Sequence, residues 1–248
     1  MPVCSTTPAA LMSSPLMLAL MTSRIGNYGT IFGQWREGAG TAWADYVEHD
    51  FVRQLQDGSL PRANFIHYLI QDYVFLIHFS RAWALAVTKG ETVEEMQLCA
   101  GTVNALIGDE IKLHIRICAD AGIDEATLFN AREATANLAY TRYVLDAGHS
   151  GDMVDLLAAL APCVIGYGEI GLRLGQSEHA SDYADWINTY GGADYQDVCH
   201  AVGQLIDGAC RRRLGDDAMA SPRWEALQQR FDMATRLEAG FWQMGLDG

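Results

Sequence analysis

Apolar residues recur at three- and four-residue spacing from about residue 35 onward, and this period constrains the fold more than any other feature of the chain. Such spacing places apolar side chains on one face of an α-helix, whereas a half-buried strand needs strict alternation. The sequence has no alternating runs bounded by hairpin turns, and no internal repeat or linker divides it. We therefore predict an all-α fold, a single-domain helical bundle.

Glycine and proline set the boundaries of the predicted helices. The turn at residues 57–61 (DGSLP) separates a first helix from a second that starts near Pro61. Residues 1–33 are predicted to form a loosely ordered extension, and residues 34–248 the helical domain. The helices are predicted over residues 36–55, 61–88, 93–121, 133–147, 154–172, 183–190, 195–213 and 222–244.

Composition limits the compartment and the partners of this chain. Half of the residues are hydrophobic, which is enough for a sizeable core. The formal net charge of -14 opposes binding to nucleic acid or to an anionic membrane surface. The most apolar internal run, residues 156–168, is shorter than the ~20 residues that span a bilayer. The six cysteines include no Cys-x-x-Cys pair, so we expect reduced thiols and a cytoplasmic protein.

The apolar segment 154–172 carries a proline at its centre, Pro162, followed directly by Cys163. An interior helical proline costs roughly 3 kcal/mol, because it removes a hydrogen bond and clashes with the preceding turn. We expect a kink there, with Tyr167 on the same helical face as the thiol. Buried cysteine often acts as a small hydrophobe, and no base or cation nearby in sequence activates this thiol. The residues alone leave packing and catalysis both open.

Asp72 lies among residues that are apolar on nearly every helical face, in the segment 68–77 (YLIQDYVFLI). A buried carboxylate without a partner costs several kcal/mol, so Asp72 must be hydrogen-bonded, paired with a cation or protonated. It either caps a helix, bonds a core tyrosine or binds a ligand. Phe75 shares its face, and spacing alone favours packing over ring stacking for this side chain.

Glu238 has two aromatic neighbours on its helix, Phe241 and Trp242, at three- and four-residue spacing. It is either an exposed residue on the polar edge of a terminal helix or a partly desolvated carboxyl. In the second case it could hold a proton near neutral pH and act as a general acid.

Glu110 and His114 form a Glu-x-x-x-His pair on one helical face, a geometry also found in carboxylate-bridged metal sites. A complete site needs further ligands, and the sequence offers no second pair. We therefore favour a structural or supporting role for these two residues and predict no metal.

Five groups of short motifs, in the same order, resemble the TenA or thiaminase II family. They cover roughly residues 40–242, and five in the right order are far more specific than any one alone. The motifs are GSLP at residues 58–61 with FxxYxxQDY at 65–73, AYT at 139–141, LAALAPC at 157–163 with YGEIG at 167–171, WI at 186–187 with TYGG at 189–192, and Glu238 with Phe241 and Trp242.

This resemblance implies a fold similar to haem oxygenase, usually assembled as a homotetramer, with no cofactor and no catalytic metal. The implied reaction converts 4-amino-5-aminomethyl-2-methylpyrimidine to hydroxymethylpyrimidine by hydrolysis, for thiamine salvage. Cleavage of thiamine into its pyrimidine and thiazole parts is the related activity. The expected partner is therefore a small aminopyrimidine or thiamine.

The resemblance also assigns roles to residues of this chain. Cys163 is implied as the nucleophile that adds to the pyrimidine ring, Glu238 as the acid, and Asp72 as the group that holds the ring amidine. At Phe75 many relatives carry tyrosine, so a hydroxyl is missing here, which bears on the substrate preference. The residues implied to surround the substrate are Asp72, Phe75, Tyr140, Tyr167, Tyr190 and Phe241.

Two other classes of function stay open. One is a non-catalytic pyrimidine-binding or regulatory protein. The other is a metalloenzyme on a haem-oxygenase-like scaffold, which the Glu110 and His114 pair would motivate.

Overall fold

The computed structural model describes residues 27–176 and 181–248 of the chain, and these ranges contain helices and turns but no strand. The predicted all-α class is therefore confirmed. A π-helical turn, Leu106–Glu110, lies between the helices Val93–Ala105 and Ile111–Asp120, and 3₁₀ turns occur at Ser181–Tyr183 and Ala218–Ala220. The α-helices are α1 (Thr30–Ala39), α2 (Thr41–Val47), α3 (Asp50–Asp57), α4 (Arg62–Lys89), α5 (Val93–Ala105), α6 (Ile111–Asp120), α7 (Glu125–Phe129), α8 (Thr135–Ser150), α9 (Met153–Gly175), α10 (Ala184–Gly191), α11 (Ala193–Leu214) and α12 (Trp224–Asp247).

The region predicted as one helix over residues 36–55 is divided among three, so that prediction is wrong. Gly40 separates α1 from α2 with a φ of +54°, a conformation that glycine adopts without the clash that a Cβ would create. His49 caps the start of α3, where its Nδ1 accepts a hydrogen bond from the backbone N–H of Phe51 at 3.2 Å. The local backbone conformation at Gly40 and the cap at His49 therefore interrupt the helix, although the apolar spacing continues across both residues.

The chain before α1 lies partly outside the described residues. Of the predicted extension, residues 1–26 are not described, and the division at residue 34 stays a prediction. Its described end enters the core, since Tyr28 is 2% exposed and Phe32 is fully buried.

The longer helices follow the predicted boundaries closely. α4 begins directly after Pro61 and ends before Gly90. The helix predicted over residues 93–121 is one helical run that includes α5, the π-helical turn and α6. Thr92 caps this run by accepting a hydrogen bond from the Glu95 backbone N–H at 3.2 Å.

Helix α9 forms the centre of the bundle and packs against α8, α10, α11 and α12. It continues through Pro162 without interruption, and the Tyr46 hydroxyl donates to the Pro162 carbonyl oxygen at 3.2 Å. The helix is long and apolar enough to cross a membrane, but 83% of its most apolar window is buried inside the protein. Such burial is typical of a core helix, the position predicted for this segment.

Two glycines of α9 allow neighbouring residues to approach its backbone closely. A Cβ at Gly166 would lie 2.3 Å from Cε1 of the Tyr46 ring, and a Cβ at Gly171 would lie 2.4 Å from the backbone carbonyl carbon of Tyr190. Neither distance is sterically possible without movement of a neighbour. These glycines therefore place two tyrosines against the helix that carries Cys163.

We expect Gly171→Ala to lower the free energy of unfolding by about 1–3 kcal/mol, because the added methyl group meets backbone that cannot rotate away. The matched control is Gly175→Ala on the same helix, where an added Cβ has no atom within 4 Å. That control should be neutral or stabilising by up to about 1 kcal/mol. Urea unfolding measures both values, and equal midpoints for the two variants would contradict this account of the packing.

Candidate active site

A cavity of about 920 Å³ lies beside α9 and is bordered by α4, α5, α6, α10 and α11. Its walls are mainly apolar with a small number of polar groups, the composition that small-molecule sites usually have. Five of the predicted site residues line it, and Tyr140, Glu238 and Phe241 lie behind its wall. The five lining residues are Asp72, Phe75, Cys163, Tyr167 and Tyr190.

Cys163 connects the cavity to the buried carboxyl behind it. The side chain of Cys163 is half-buried, and its thiol lies close enough to the Glu238 carboxyl for the two groups to shift each other's pKa. The Tyr140 hydroxyl donates to Oε1 of Glu238 at 2.7 Å. Helices α8, α9 and α12 thus each contribute one member of a connected group. Glu238 is 1% exposed, which excludes the alternative of an exposed residue on a polar helix edge.

Burial governs the protonation of this group. It raises the pKa of Glu238 to about 8; the hydrogen bonds from Tyr140 and Cys163 oppose the rise, and the charge of Asp72 adds to it. Burial and the nearby carboxylates also raise the pKa of the Cys163 thiol well above its usual value. At neutral pH the resting site therefore holds a thiol and a largely protonated carboxyl, and it disfavours a free thiolate.

The high pKa of Glu238 links stability to pH. The folded value of about 8 exceeds the ordinary 4.5, so between these values the folded protein binds more protons than the unfolded chain. The contribution of Glu238 is fully present below pH 4.5 and is lost as pH rises through 8, by up to about 1.4 kcal/mol per pH unit. We expect Glu238→Gln to remove this dependence, so that its unfolding free energy falls less than that of the wild type over the same range. Urea unfolding across this range measures the slopes, and parallel curves would contradict the assignment.

Asp72 is held by two hydrogen bonds to one of its oxygens. Oδ2 lies 2.7 Å from Nε2 of His114 and accepts from the Tyr68 hydroxyl at 3.2 Å. Among the residues that the structure describes, Oδ1 has no hydrogen-bond partner, while Asp72 lines the cavity. The predicted bond to a core tyrosine and the predicted role in ligand binding are therefore compatible, since they use different oxygens.

The π-helical turn brings Glu110 to the cavity wall. The Tyr190 hydroxyl donates to Oε1 of Glu110 at 2.9 Å, and Nδ1 of His114 lies 2.9 Å from the Glu110 backbone carbonyl oxygen. Such turns often occur at functional sites, because the extra residue changes the direction of the side chains that follow. The periodicity of the sequence contains no signal for this turn.

The Glu110 and His114 pair is therefore part of a hydrogen-bonded group. In the described ranges, no three His, Cys, Asp or Glu side chains are grouped so that they could hold a metal ion. Both ring nitrogens of His114 have hydrogen-bond partners, which leaves neither free to coordinate a metal. The geometry supports the predicted supporting role and does not favour the metalloenzyme alternative.

Aromatic rings form the wall between Asp72 and Glu238. The centroid of the Phe75 ring lies 5.1 Å from that of Tyr140 and 5.4 Å from that of Phe241. Phe75 faces the cavity, while Phe241 is 2% exposed and packs behind it. Phe241 therefore supports the wall through Phe75, and a direct contact with substrate stays a prediction.

A second aromatic group surrounds Tyr167. Its ring centroid lies 5.0 Å from that of Tyr190 and 5.1 Å from that of Trp242, and its hydroxyl oxygen is 3.4 Å from that of Tyr68. Tyr68 was not predicted as a site residue. The available signal was its position four residues before Asp72, which places both side chains on one helical face.

Comparison with known proteins agrees with the motifs and the fold. The TENA/THI-4/PQQC family matches residues 38–248. A protein named aminopyrimidine aminohydrolase from Halalkalibacterium halodurans is 31% identical over 211 residues, which are 84% of this chain and 92% of that protein.

Two solved structures extend the comparison. A protein from Silicibacter sp. TM1040, described as a TenA family transcription regulator, has 59% identity and a TM-score of 0.88, over 89% of this chain and 98% of that chain. A domain from Shewanella denitrificans with a heme oxygenase-like fold has 15% identity and a TM-score of 0.63, over 86% of this chain and 92% of that chain, and shows the fold alone. The chain therefore belongs to the TENA/THI-4/PQQC family and has a heme oxygenase-like all-α fold.

Proposed function

We propose that this protein is an aminopyrimidine aminohydrolase that converts 4-amino-5-aminomethyl-2-methylpyrimidine to hydroxymethylpyrimidine for thiamine salvage. The observation that carries the proposal is the position of the cavity-lining thiol of Cys163 beside the buried carboxyl of Glu238. Similarity to the aminopyrimidine aminohydrolase of Halalkalibacterium halodurans supports the substrate class. Thiamine is the second candidate substrate.

The charge of the cavity supports a cationic substrate. Three carboxylates besides Asp72 line it, on Asp109, Glu110 and Asp194, against the guanidinium of Arg116. A cavity with an excess of one charge attracts ligands of the opposite charge. The ammonium of an aminomethylpyrimidine and the thiazolium of thiamine both meet this condition.

Asp72 binds the ring in this proposal. Its Oδ1 accepts from the exocyclic amine, and the same carboxylate pairs with a protonated ring nitrogen. A charge-assisted contact of this kind is stronger than a neutral hydrogen bond and fixes the orientation of a planar ring. The ring then lies against Phe75 with a carbon within reach of the Cys163 sulfur.

The first chemical step uses the proton that Glu238 holds at neutral pH. Glu238 gives this proton to the pyrimidine ring, which makes the ring a better electrophile and leaves a carboxylate beside the thiol. The carboxylate accepts the proton of Cys163 as the sulfur forms a bond to a ring carbon. No free thiolate accumulates, in agreement with the raised pKa of Cys163.

The second step exchanges amine for hydroxyl. Electrons of the ring adduct expel the amine from the methylene carbon, and Glu238 protonates it as it leaves as ammonia. Water adds its oxygen to the methylene carbon of the exocyclic alkene and gives a proton to the Glu238 carboxylate. The carbon–sulfur bond then breaks, and the sulfur takes the proton that the ring nitrogen received in the first step. The sum is substrate plus water giving hydroxymethylpyrimidine plus ammonia, and the covalent adduct divides one difficult substitution into easier steps.

A side-by-side assay of the aminomethylpyrimidine and thiamine tests the proposal. We expect turnover of both, with ammonia released from the aminomethylpyrimidine and a faster rate on that substrate. Product is measured by chromatography and ammonia by a coupled assay. No turnover of either compound would contradict an enzymatic function.

A non-catalytic regulatory protein is the second candidate, because the relative from Silicibacter sp. TM1040 is described as a transcription regulator. The net charge of -14 opposes direct contact with DNA, so such regulation would be indirect. Tight binding of hydroxymethylpyrimidine without turnover of either substrate would favour this candidate.

Assembly and location complete the proposal. We infer a cytoplasmic homotetramer whose catalytic domain is residues 34–248. Exposed apolar side chains are compatible with contacts between subunits, among them Phe129 at 73% exposure and Ile107 at 53%.

A further inference from the structure

His114 is a buried histidine whose two ring nitrogens both face hydrogen-bond acceptors. Its side chain is 2% exposed. Nε2 lies 2.7 Å from Oδ2 of Asp72, and Nδ1 lies 2.9 Å from the backbone carbonyl oxygen of Glu110. A carbonyl oxygen can only accept, so Nδ1 carries a hydrogen, and Nε2 carries one as well when it pairs with the carboxylate form of Asp72. An imidazole with both nitrogens protonated is a cation.

The surroundings of Asp72 favour the proton on the histidine. The Trp186 indole N–H donates to the Tyr68 oxygen at 3.3 Å, so the hydroxyl hydrogen of Tyr68 points away from Trp186 and towards Oδ2 of Asp72. Oδ2 therefore faces two donors, which fix the orientation of the Asp72 side chain.

The charged groups around the His114 ring also favour its protonated form. Burial lowers the pKa of His114, but the hydrogen bond to Asp72 and the charges of Asp72 and Glu110 outweigh it, so the net pKa is raised. Asp72 belongs to α4 and Glu110 to the turn before α6. On the adjoining α7, the charge of Glu125 raises the pKa of Tyr73 and does not contribute to the shift of His114.

We propose that His114, as a buried imidazolium, is a positioning residue that pairs with Oδ2 of Asp72 and turns the free oxygen Oδ1 towards the pyrimidine. The inference rests on the proposed function for the identity of the ligand. Asp72 must be charged to pair with a protonated ring nitrogen, and a neutral carboxyl that rotates freely would lose both that pairing and its direction. His114 therefore controls ligand affinity more than the chemical step.

The charge of His114 can be measured directly by ¹⁵N NMR of the histidine-labelled protein at about pH 8. Of the seven histidines, we expect one to retain two protonated ring nitrogens at this pH. That signal should disappear in His114→Gln and remain in His149→Gln, a matched control at an exposed position on α8. If every histidine of the wild type is neutral at this pH, the inference is wrong, whether or not the variants fold.

The consequence for the ligand is measured by calorimetry with hydroxymethylpyrimidine. His114→Gln keeps an N–H donor but removes the charge, so we expect about tenfold weaker binding or more. KM should rise more than kcat falls, and His149→Gln should match the wild type. Tyr68→Phe, which removes the neutral donor to Oδ2 and the acceptor of the Trp186 N–H, should have a smaller effect and keep the imidazolium signal.

The outcomes separate this inference from the proposed function. A wild type that binds no pyrimidine would refute the proposed function and, with it, the positioning role. An imidazolium signal combined with equal affinity in the wild type and His114→Gln would refute the positioning role alone.

Discussion

Cys163→Ser is expected to lower kcat on the aminomethylpyrimidine by about a thousandfold or more while the fold stays intact. Serine has nearly the same size and keeps a polar hydrogen beside Glu238, so the packing between α9 and α12 is preserved. Its hydroxyl is a far weaker nucleophile, and Glu238 as a base cannot compensate for that difference. Removal of a covalent nucleophile typically costs this much, because the single-step substitution has a much higher barrier.

The control for this prediction is Cys118→Ala, which removes a fully buried thiol on α6 that does not line the cavity. Its kcat should remain within about twofold of the wild type, even where the lost packing lowers stability by about 1 kcal/mol. Ammonia release under saturating substrate measures both variants. Near-normal turnover by a folded Cys163→Ser would eliminate the covalent mechanism, although a hydrolase without a covalent intermediate would still be possible.

Glu238→Gln is expected to reduce kcat by about a hundredfold to ten-thousandfold, the range for loss of a general acid that also acts as a base. Glutamine keeps an oxygen that accepts from the Tyr140 hydroxyl, so packing around the site is preserved. It can neither protonate the ring nor take the thiol proton. In the wild type, the pKa of about 8 predicts that activity declines above pH 8, as Glu238 loses the proton that starts the reaction.

Tyr140→Phe tests how the hydrogen bond from Tyr140 affects the pKa of the proposed acid, Glu238. The hydrogen bond from Tyr140 lowers the pKa of Glu238, so its removal should move the alkaline decline of kcat/KM to higher pH. The variant keeps the acid, and we expect a smaller loss of kcat than in Glu238→Gln. A pH profile measured between about pH 6 and pH 10 checks both points. If kcat/KM declines at the same pH in Tyr140→Phe as in the wild type, a group other than Glu238 causes the decline.

Local rules account for the parts of the fold that were predicted well. The boundaries of α4, α9 and α11 follow from an apolar period of three to four residues and from glycine or proline close to their ends. The N-terminal region was predicted less well. The spacing of apolar residues continues across Gly40 and His49, whereas the helices are interrupted at both residues. The spacing of apolar residues indicates which face of a helix is buried, but it does not indicate where the helix ends and the chain changes direction.

The candidate site was predicted residue by residue, but its organisation was not. Cys163, Asp72 and Glu238 each have unusual neighbours in sequence, and the ordered motifs relate them to a known family. The supporting role of His114 was anticipated without its partner. Its bond to Asp72 joins residues 42 positions apart, and the bond from Tyr140 to Glu238 joins residues 98 positions apart.

The sequence by itself determined the all-α class, most helix boundaries and the family, and it singled out the candidate site residues. Only the tertiary structure decided that Glu238 is buried against the Cys163 thiol and holds its proton to about pH 8. It also decided that a π-helical turn brings Glu110 to the cavity and that His114 reaches Asp72. The physical reason is that helix formation depends on neighbours within four residues, whereas desolvation and long-range hydrogen bonds depend on how complete helices pack.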